Sequence, residues 1–328
     1  MNLKDKTVLV TGAGGFIGSH LVDALVAKGC QVRAFVRYTS TGTCGWIDGF
    51  PEKIRQQIKI IAGDLRDNDA VRDVIKGCNE VFHLGALIGI PYSYIHPREY
   101  VDTNIVGTTN VLVGCREHQV ARVVVVSTSE VYGTAQYIPI DEKHPKVGQS
   151  PYAASKIAAD MLAESFYRSF SLPVTIIRPF NTYGPRQSQR AIIPTIISQL
   201  LESEIIALGV TSPTRDLTYV TDTVQGIIRG AEVDDVVGLT INLGSGAEIS
   251  IGNLAEQIAA LLGRNLKIKQ DADRVRPEAS EVARLVSNNS LAHQVLLWRP
   301  LVPLEQGLRQ TIDWFRTNPF GVRSDYVV

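Results

Sequence analysis

The stretch "VLVTGAGGFIGSHLVDAL", Val8 to Leu25, decides the fold. Its opening "VLVT" has the apolar, β-branched texture of a buried strand, and the run from Phe16 onward carries apolar residues at helical spacing. Between the two stand Gly12, Gly15 and Gly18. Glycines at such a turn let the backbone approach a pyrophosphate closely, and the helix N-terminus beyond offers N–H donors and the positive end of a dipole. The spacing GxxGxxG is one residue off the common GxGxxG, and alone it is also compatible with a tight turn packing a helix onto a strand. Placed after the first strand of an alternating α/β chain, it reads as a dinucleotide loop, with Phe16 and Ile17 at its rim.

The alternation continues outward from there. Short apolar runs, "QVRAFV", "IKIIAG", "EVFHLG", "RVVVVS" and "PVTIIRP", are separated by amphipathic segments such as "NDAVRDVIKGC". Continuous apolar strands between helices predict a doubly wound parallel sheet covered on both faces, an α/β Rossmann fold. After Pro179 the texture changes to turns ("NTYGPRQ", "TSPTRD") around one helical stretch, "IPTIISQLLES". The expected division is a dinucleotide-binding core over 1–179, rejoined by 239–262, and an interleaved ligand lobe from 180–238 and 263–328. No linker, repeat or low-complexity segment separates them.

Composition narrows the function. Of 328 residues, 45% are hydrophobic and 20% charged, with 33 Lys+Arg against 33 Asp+Glu. A balanced chain has no bulk field for nucleic acid or an anionic membrane, so an anionic ligand must be held by local groups. Cys30, Cys44, Cys78 and Cys115 form no CxxC pair, and the histidines fit no metal spacing; reduced thiols and no metal are expected. The N-terminus enters a strand without a signal-peptide pattern, and no apolar run reaches the ~18 residues of a membrane span, so a cytoplasmic location is expected.

Where the second strand ends, the chain has Arg37, Tyr38, Thr39 and Ser40 in place of the acidic residue that grips the ribose 2′-OH of NAD. An arginine there meets a 2′-phosphate or stacks on adenine, which leans toward NADP and leaves NAD open. Asp64 and Leu65 after the third strand suit an adenine contact, although a turn aspartate is an equal account.

The fifth strand ends in an unusual way. "VSTSEVYG", Val126 to Gly133, sets Thr128, Ser129 and Glu130 where an apolar strand runs out. Downstream, "SPYAASKIAADMLAESF" reads as a helix with Pro151 at its start, and Tyr152 and Lys156, four apart, share one face. A tyrosine with a pKa near ~10 is a poor base at neutrality; an adjacent ammonium and an oxidised nicotinamide both favour the phenolate.

Together "TGAGGFIG", "STSEVYG" and "YAASK" resemble the extended short-chain dehydrogenase/reductase family, the nucleotide-sugar epimerases and dehydratases. The resemblance covers nearly the whole chain, through "HLGA", "DTNIVGTTNVL", "RPFNTYGPRQ", "TRDLTYVTD" and "INLGSG" in family order. It implies a tightly bound NAD(P)+, regenerated each turnover, that Leu84, Ala86 and Pro179 help to hold. It implies that Tyr152 takes the sugar O4 proton, that Lys156 holds the nicotinamide ribose, and that Thr128 bonds O4. It implies that Ser93 touches a sugar hydroxyl, that Asn181 bonds the diphosphate, that Arg215 and Arg276 clamp phosphates or the nucleotide ribose, and that Arg186 joins them in binding substrate. The helices around "VDTNIVGTTNVLVGCREH" and "SKIAADMLAESFYRSF" would pair two chains into a four-helix bundle, a homodimer. His83 is expected as a satisfied core residue.

Oxidation at C4 needs no carboxylate beside the tyrosine, but a 4-ketone acidifies the C5 proton, and Glu130 is then a general base. The triplet Thr-Ser-Glu is similar to that of GDP-mannose-type 4,6-dehydratases and departs from dTDP-glucose-type enzymes, which carry an aspartate at the Ser129 position. UDP-glucuronate decarboxylases share the triplet, so a decarboxylase or a 4-epimerase stays open. "FVRYTS" and "ALIGIPYSYIHP" tip the expectation toward a 4,6-dehydratase, in texture like those acting on UDP- or GDP-N-acetylglucosamine for legionaminic-acid-type sugars. A non-catalytic cofactor-binding regulator is the remote alternative.

Overall fold

A computed structural model describes residues 2–318; Met1 and the last ten residues of the expected lobe, 319–328, lie outside them. The apolar runs form strands β1 (Thr7–Thr11), β2 (Gln31–Arg37), β3 (Ile58–Gly63), β4 (Glu80–His83), β5 (Arg122–Val126) and β6 (Val174–Pro179). With Thr240–Leu243 they make, among the described residues, one parallel sheet of seven strands. Its order is β3-β2-β1-β4-β5-β6 and then Thr240–Leu243. Burial on both faces explains the continuous apolar strands: Val8, Val10, Val124 and Val126 feed one hydrophobic cluster, while Leu9, Val123 and Val125 feed the other. Each such side chain contributes ~1.5–3 kcal/mol.

Strand order reverses between β1 and β4, which opens a crevice at the carboxyl ends of the strands. The Gly12 loop, the Leu84 loop and the Thr128 turn all leave the sheet at that edge. The helix Pro151–Phe170 has a built start: Ser150 Oγ accepts from the Ala153 N–H at 3.1 Å, and Pro151 takes the first position. Ser171 ends it in the left-handed region.

Two stretches differ from the expected division. Helix Val220–Glu232, expected in the lobe, packs on β5, β6 and the helix Phe16–Ala27. Gly226 and Gly230 let it approach, since a Cβ at either would press on Leu243 or Ile177. Helix Ile251–Leu262, expected with the core, packs on helices Ile192–Glu202 and Leu304–Thr317. Among the described residues no helix is long and apolar enough to cross a membrane, and no cluster of His, Cys, Asp and Glu could hold a metal ion.

Candidate active site

The glycine loop has the shape that a pyrophosphate needs. Gly12 turns at φ +69°, and a Cβ there would sit 2.9 Å from the Gly85 backbone. At Gly18 a Cβ would come 2.1 Å from the Gly12 carbonyl, so the helix is drawn tightly against the turn. No side chain caps the helix Phe16–Ala27, whose first-turn N–H groups have no intrahelical acceptor. These features fit a dinucleotide. At the far end of the crevice Arg37 and Tyr38 are exposed, while the Asp64 carboxylate is held by Arg66 at 2.7 Å, which lowers its pKa. Leu65 and Pro179 are buried; Leu84 and Ala86 are half-buried on the loop after β4.

At the end of β5 the chain makes a single 3₁₀ turn, Ser129–Tyr132. The Thr128 hydroxyl accepts from the Glu130 N–H at 3.2 Å and is hydrogen-bonded to the Tyr152 phenol. Lys156, one turn along the helix from Tyr152, donates from Nζ to the Val126 carbonyl at 3.0 Å. Tyr152 and Lys156 are both buried, and so is Ser129, between Thr128 and Glu130 in the turn. Burial raises the Tyr152 pKa above the phenol range, the Thr128 bond pulls it down, and the charge of Glu130 pushes it up. Burial lowers the Lys156 ammonium, which Asp160 partly offsets. Thr128, Glu130, Tyr152 and Lys156 thus form one cluster across two elements.

A hydrogen-bond chain fixes the cluster to the sheet. Leu84 N–H and Gly85 N–H donate to Thr11 Oγ1 at 3.1 and 3.0 Å, and Thr11 Oγ1 lies 2.8 Å from His83 Nδ1. His83 Nε2 lies 2.9 Å from Thr108 Oγ1, which donates to the Asn104 carbonyl at 2.6 Å. With that hydroxyl proton spent, Nε2 carries the imidazole hydrogen and Nδ1 accepts. Asn104 Nδ2 donates to Ser155 Oγ at 2.9 Å, and Ser155 Oγ donates to the Tyr152 carbonyl at 2.7 Å. His83 is therefore a satisfied core residue, held neutral by burial with its pKa lowered to about 3. Asn104 sits in a π-helical turn, Val101–Val106, and also clasps both backbone groups of Leu87. Its importance is not visible in the sequence beyond "DTNIVG", because its partners are distant in the chain.

Of the expected substrate residues, Asn181 is tied beside Arg215 by its N–H, which donates to the Asp216 carbonyl at 3.1 Å. Arg215 and Arg276 share the Glu281 carboxylate at 3.2 and 3.7 Å. Burial lowers the Arg215 pKa, the Glu130 and Glu281 charges oppose this, and Arg276 adds to it. Asn181 holds a buried side-chain oxygen with no protein partner, a group that a ligand would complete. Ser93 is wholly buried and donates to the Ile90 carbonyl at 2.6 Å. Arg186 bonds Asp23 at 2.8 Å and stacks at 4.9 Å on Phe50, tying its loop to the glycine-loop helix.

Comparison with known proteins agrees with this geometry. The family model of GDP-mannose 4,6 dehydratase matches residues 9–311. Human dTDP-D-glucose 4,6-dehydratase is 30% identical over 321 residues, 95% of this chain and 91% of that protein. The structure of UDP-N-acetylglucosamine 4-epimerase from Methanobrevibacter ruminantium M1, in complex with UDP-N-acetylmuramic acid, superposes with a TM-score of 0.86. It is 32% identical and covers 96% of this chain and 99% of its own. MoeE5 in complex with UDP-glucose and NAD has a TM-score of 0.83 at 31% identity, over 95% of this chain and 99% of that one. The chain belongs to the GDP-mannose 4,6-dehydratase family, within the extended short-chain dehydrogenase/reductases that include nucleotide-sugar dehydratases and epimerases.

Proposed function

We propose that this protein is a nucleotide-sugar 4,6-dehydratase, with UDP- or GDP-N-acetylglucosamine as its preferred substrate. The observation that carries the reading is the place of Glu130, whose charge acts on both the Tyr152 phenol and the Arg215 guanidinium. A carboxylate thus lies within electrostatic reach of the group that would handle O4 and of one that would hold the diphosphate. Bound NAD(P)+ would accept the hydride of C4 and, once reduced, return it to C6. Tyr152 takes the O4 proton while Thr128 holds O4, and Lys156 adds positive charge beside the forming phenolate. The resulting 4-ketone makes C5–H acidic, and Glu130 removes that proton. Glu130 then passes that proton to the departing C6 hydroxyl, and after hydride reaches C6 a proton returns to C5, equivalent to the one Tyr152 took from O4, so the sum is loss of one water and a 4-keto-6-deoxy sugar. Asn181, Arg215 and Arg276 hold the diphosphate.

Arg37, exposed with no acidic residue beside it in sequence, favours NADP; replacing it with alanine should weaken NADP+ more than NAD+. The outward-facing Val101, Val106 and Met161 support pairing of two chains through the helices that carry them.

The test is incubation with UDP-GlcNAc, GDP-GlcNAc, GDP-mannose and UDP-glucuronate, with products read by mass. Loss of water supports the reading. Loss of carbon dioxide would assign a decarboxylase, the reading that shares the Thr-Ser-Glu triplet, and unchanged mass with inverted C4 an epimerase. Glu130→Gln should lose ~10²–10⁴ in water elimination and still reduce the cofactor.

A further inference from the structure

Beneath the cluster runs a second, fully buried polar assembly that the chemistry above leaves unused. Asp160 lies one turn beyond Lys156 on the same helix and is 0% exposed; Arg178, in β6, is 1% exposed. Arg178 Nε and Nη2 both donate to Asp160 Oδ2, at 3.0 and 2.8 Å. The remaining nitrogen, Nη1, donates to the Tyr132 hydroxyl at 2.9 Å, and that hydroxyl donates to Asn242 Oδ1 at 2.8 Å. Tyr132 closes the 3₁₀ turn that carries Glu130. The Tyr132 ring sits 5.2 Å from the Arg178 guanidinium carbon, so both ring and hydroxyl are gripped.

We propose that Tyr132, Arg178 and Asp160 are positioning residues that hold the Glu130 turn in register with the Tyr152 helix. The inference rests on the dehydratase reading. One arginine bridges the two backbone segments that carry the proton-handling groups: its Nε/Nη2 edge is committed to the helix and its Nη1 to the turn. A buried ion pair adds little net stability over an apolar replacement, so position accounts for this assembly better than stability does. Thr128 already joins Tyr152 to the turn at its start; Tyr132 fixes the turn at its end. Loss of the second anchor leaves O4 chemistry at Tyr152 and Thr128 in place and lets the carboxylate drift from C5.

The experiment uses Tyr132→Phe, which keeps the ring, and Arg178→Lys, which keeps the Asp160 charge pair and releases Tyr132. Each is compared with wild type on whichever of UDP-GlcNAc or GDP-GlcNAc wild type dehydrates. Cofactor reduction is followed at the nicotinamide absorbance, deuterium uptake at C5 by mass in D₂O, and KM against kcat in turnover. Expected for Tyr132→Phe is cofactor reduction within ~3-fold of wild type, KM little changed, and C5 exchange and water loss down by ~10²-fold, as an ~1 Å misplacement gives. The same split in Arg178→Lys supports the assignment. Equal losses of reduction and exchange in Tyr132→Phe, or no loss of exchange, overturn it. If wild type releases no water from any of the nucleotide sugars, the dehydratase reading fails and this inference falls with it.

Discussion

Glu80 offers a test of how the core carries charge. It opens β4, is 1% exposed, and neither carboxylate oxygen has a hydrogen-bond partner. Arg122, opposite it in the sheet, spends its Nη groups on the Val233 carbonyl at 2.9 Å and on Asp234 at 3.0 Å. Burial therefore raises the Glu80 pKa from 4.5 to about 7, with Arg122 and Lys6 offsetting only part. Between those values the folded chain keeps a proton that the unfolded chain has released, so stability falls as pH rises through the interval. The interval is worth about 3 kcal/mol, fully expressed above pH ~7. Glu80→Gln keeps the shape and removes the titration. It should match wild type near pH ~4.5–5, apart from a constant offset, and gain about 3 kcal/mol by pH ~8, roughly 5 °C in Tm for a chain of this length. Urea and thermal melts of both proteins from pH ~5 to ~8.5 measure this gap, since every other titration cancels in the difference. A gap that stays constant across that range would refute a carboxyl forced to ionise in the core.

Three further outcomes follow from the same physics. His83, lowered to about 3 and bonded at both ring nitrogens, should show a neutral Nε2–H imidazole by NMR from pH ~5 to ~9 and contribute no limb to the activity profile. Ser150→Ala removes the cap of the Tyr152 helix and should cost about 1 kcal/mol in a denaturant melt, with Ser150→Gly costing less. Asp67→Ala should cost a similar amount, because Asp67 caps Asn68–Ile75 through the Asp69 and Ala70 N–H groups.

The sheet was legible because its inner strands are apolar on both faces, and runs such as "RVVVVS" leave no other stable burial. The Pro151 helix was legible from the proline at its start. Placement was harder. The amphipathic pattern of Val220–Glu232 announces a helix with one buried face, but says nothing of whether β5 and β6 or the lobe covers it. Of the candidate site, Thr128, Glu130, Tyr152 and Lys156 were found by motif, since local spacing sets them. Arg186 was read as a substrate ligand from its motif alone; its partners Asp23 and Phe50 come from segments more than a hundred residues away, and its Nη1 stays buried with no hydrogen-bond partner among the described residues. Asn104, Tyr132 and Asp160 escaped for the same reason: their chemistry exists only in contacts between distant elements.

The state of Tyr152 brings the argument to its sharpest point. A phenol must lose its proton to act on O4, yet burial, the first cause, together with Glu130, Tyr100 and Asp160, holds its pKa above the ordinary 10.0. The Thr128 bond works in the opposite direction and is outweighed. Each unit recovered costs about 1.4 kcal/mol, so the base is made only when positive charge arrives beside it. Lys156 does not offset this in the protein alone: burial disfavours its ammonium, which is anchored on the Val126 carbonyl. The positive ring of oxidised nicotinamide, when bound, would supply that charge. Ionisation of Tyr152 should then be linked to cofactor occupancy. In protein carrying [ζ-¹³C]tyrosine, the signal assigned by Tyr152→Phe should show no phenolate up to pH ~10 in cofactor-stripped protein, and its midpoint should fall on adding NAD+ or NADP+. A midpoint at or below ~10 without cofactor would mean that the protein alone makes the base, and the coupling drawn here between burial and cofactor charge would be wrong.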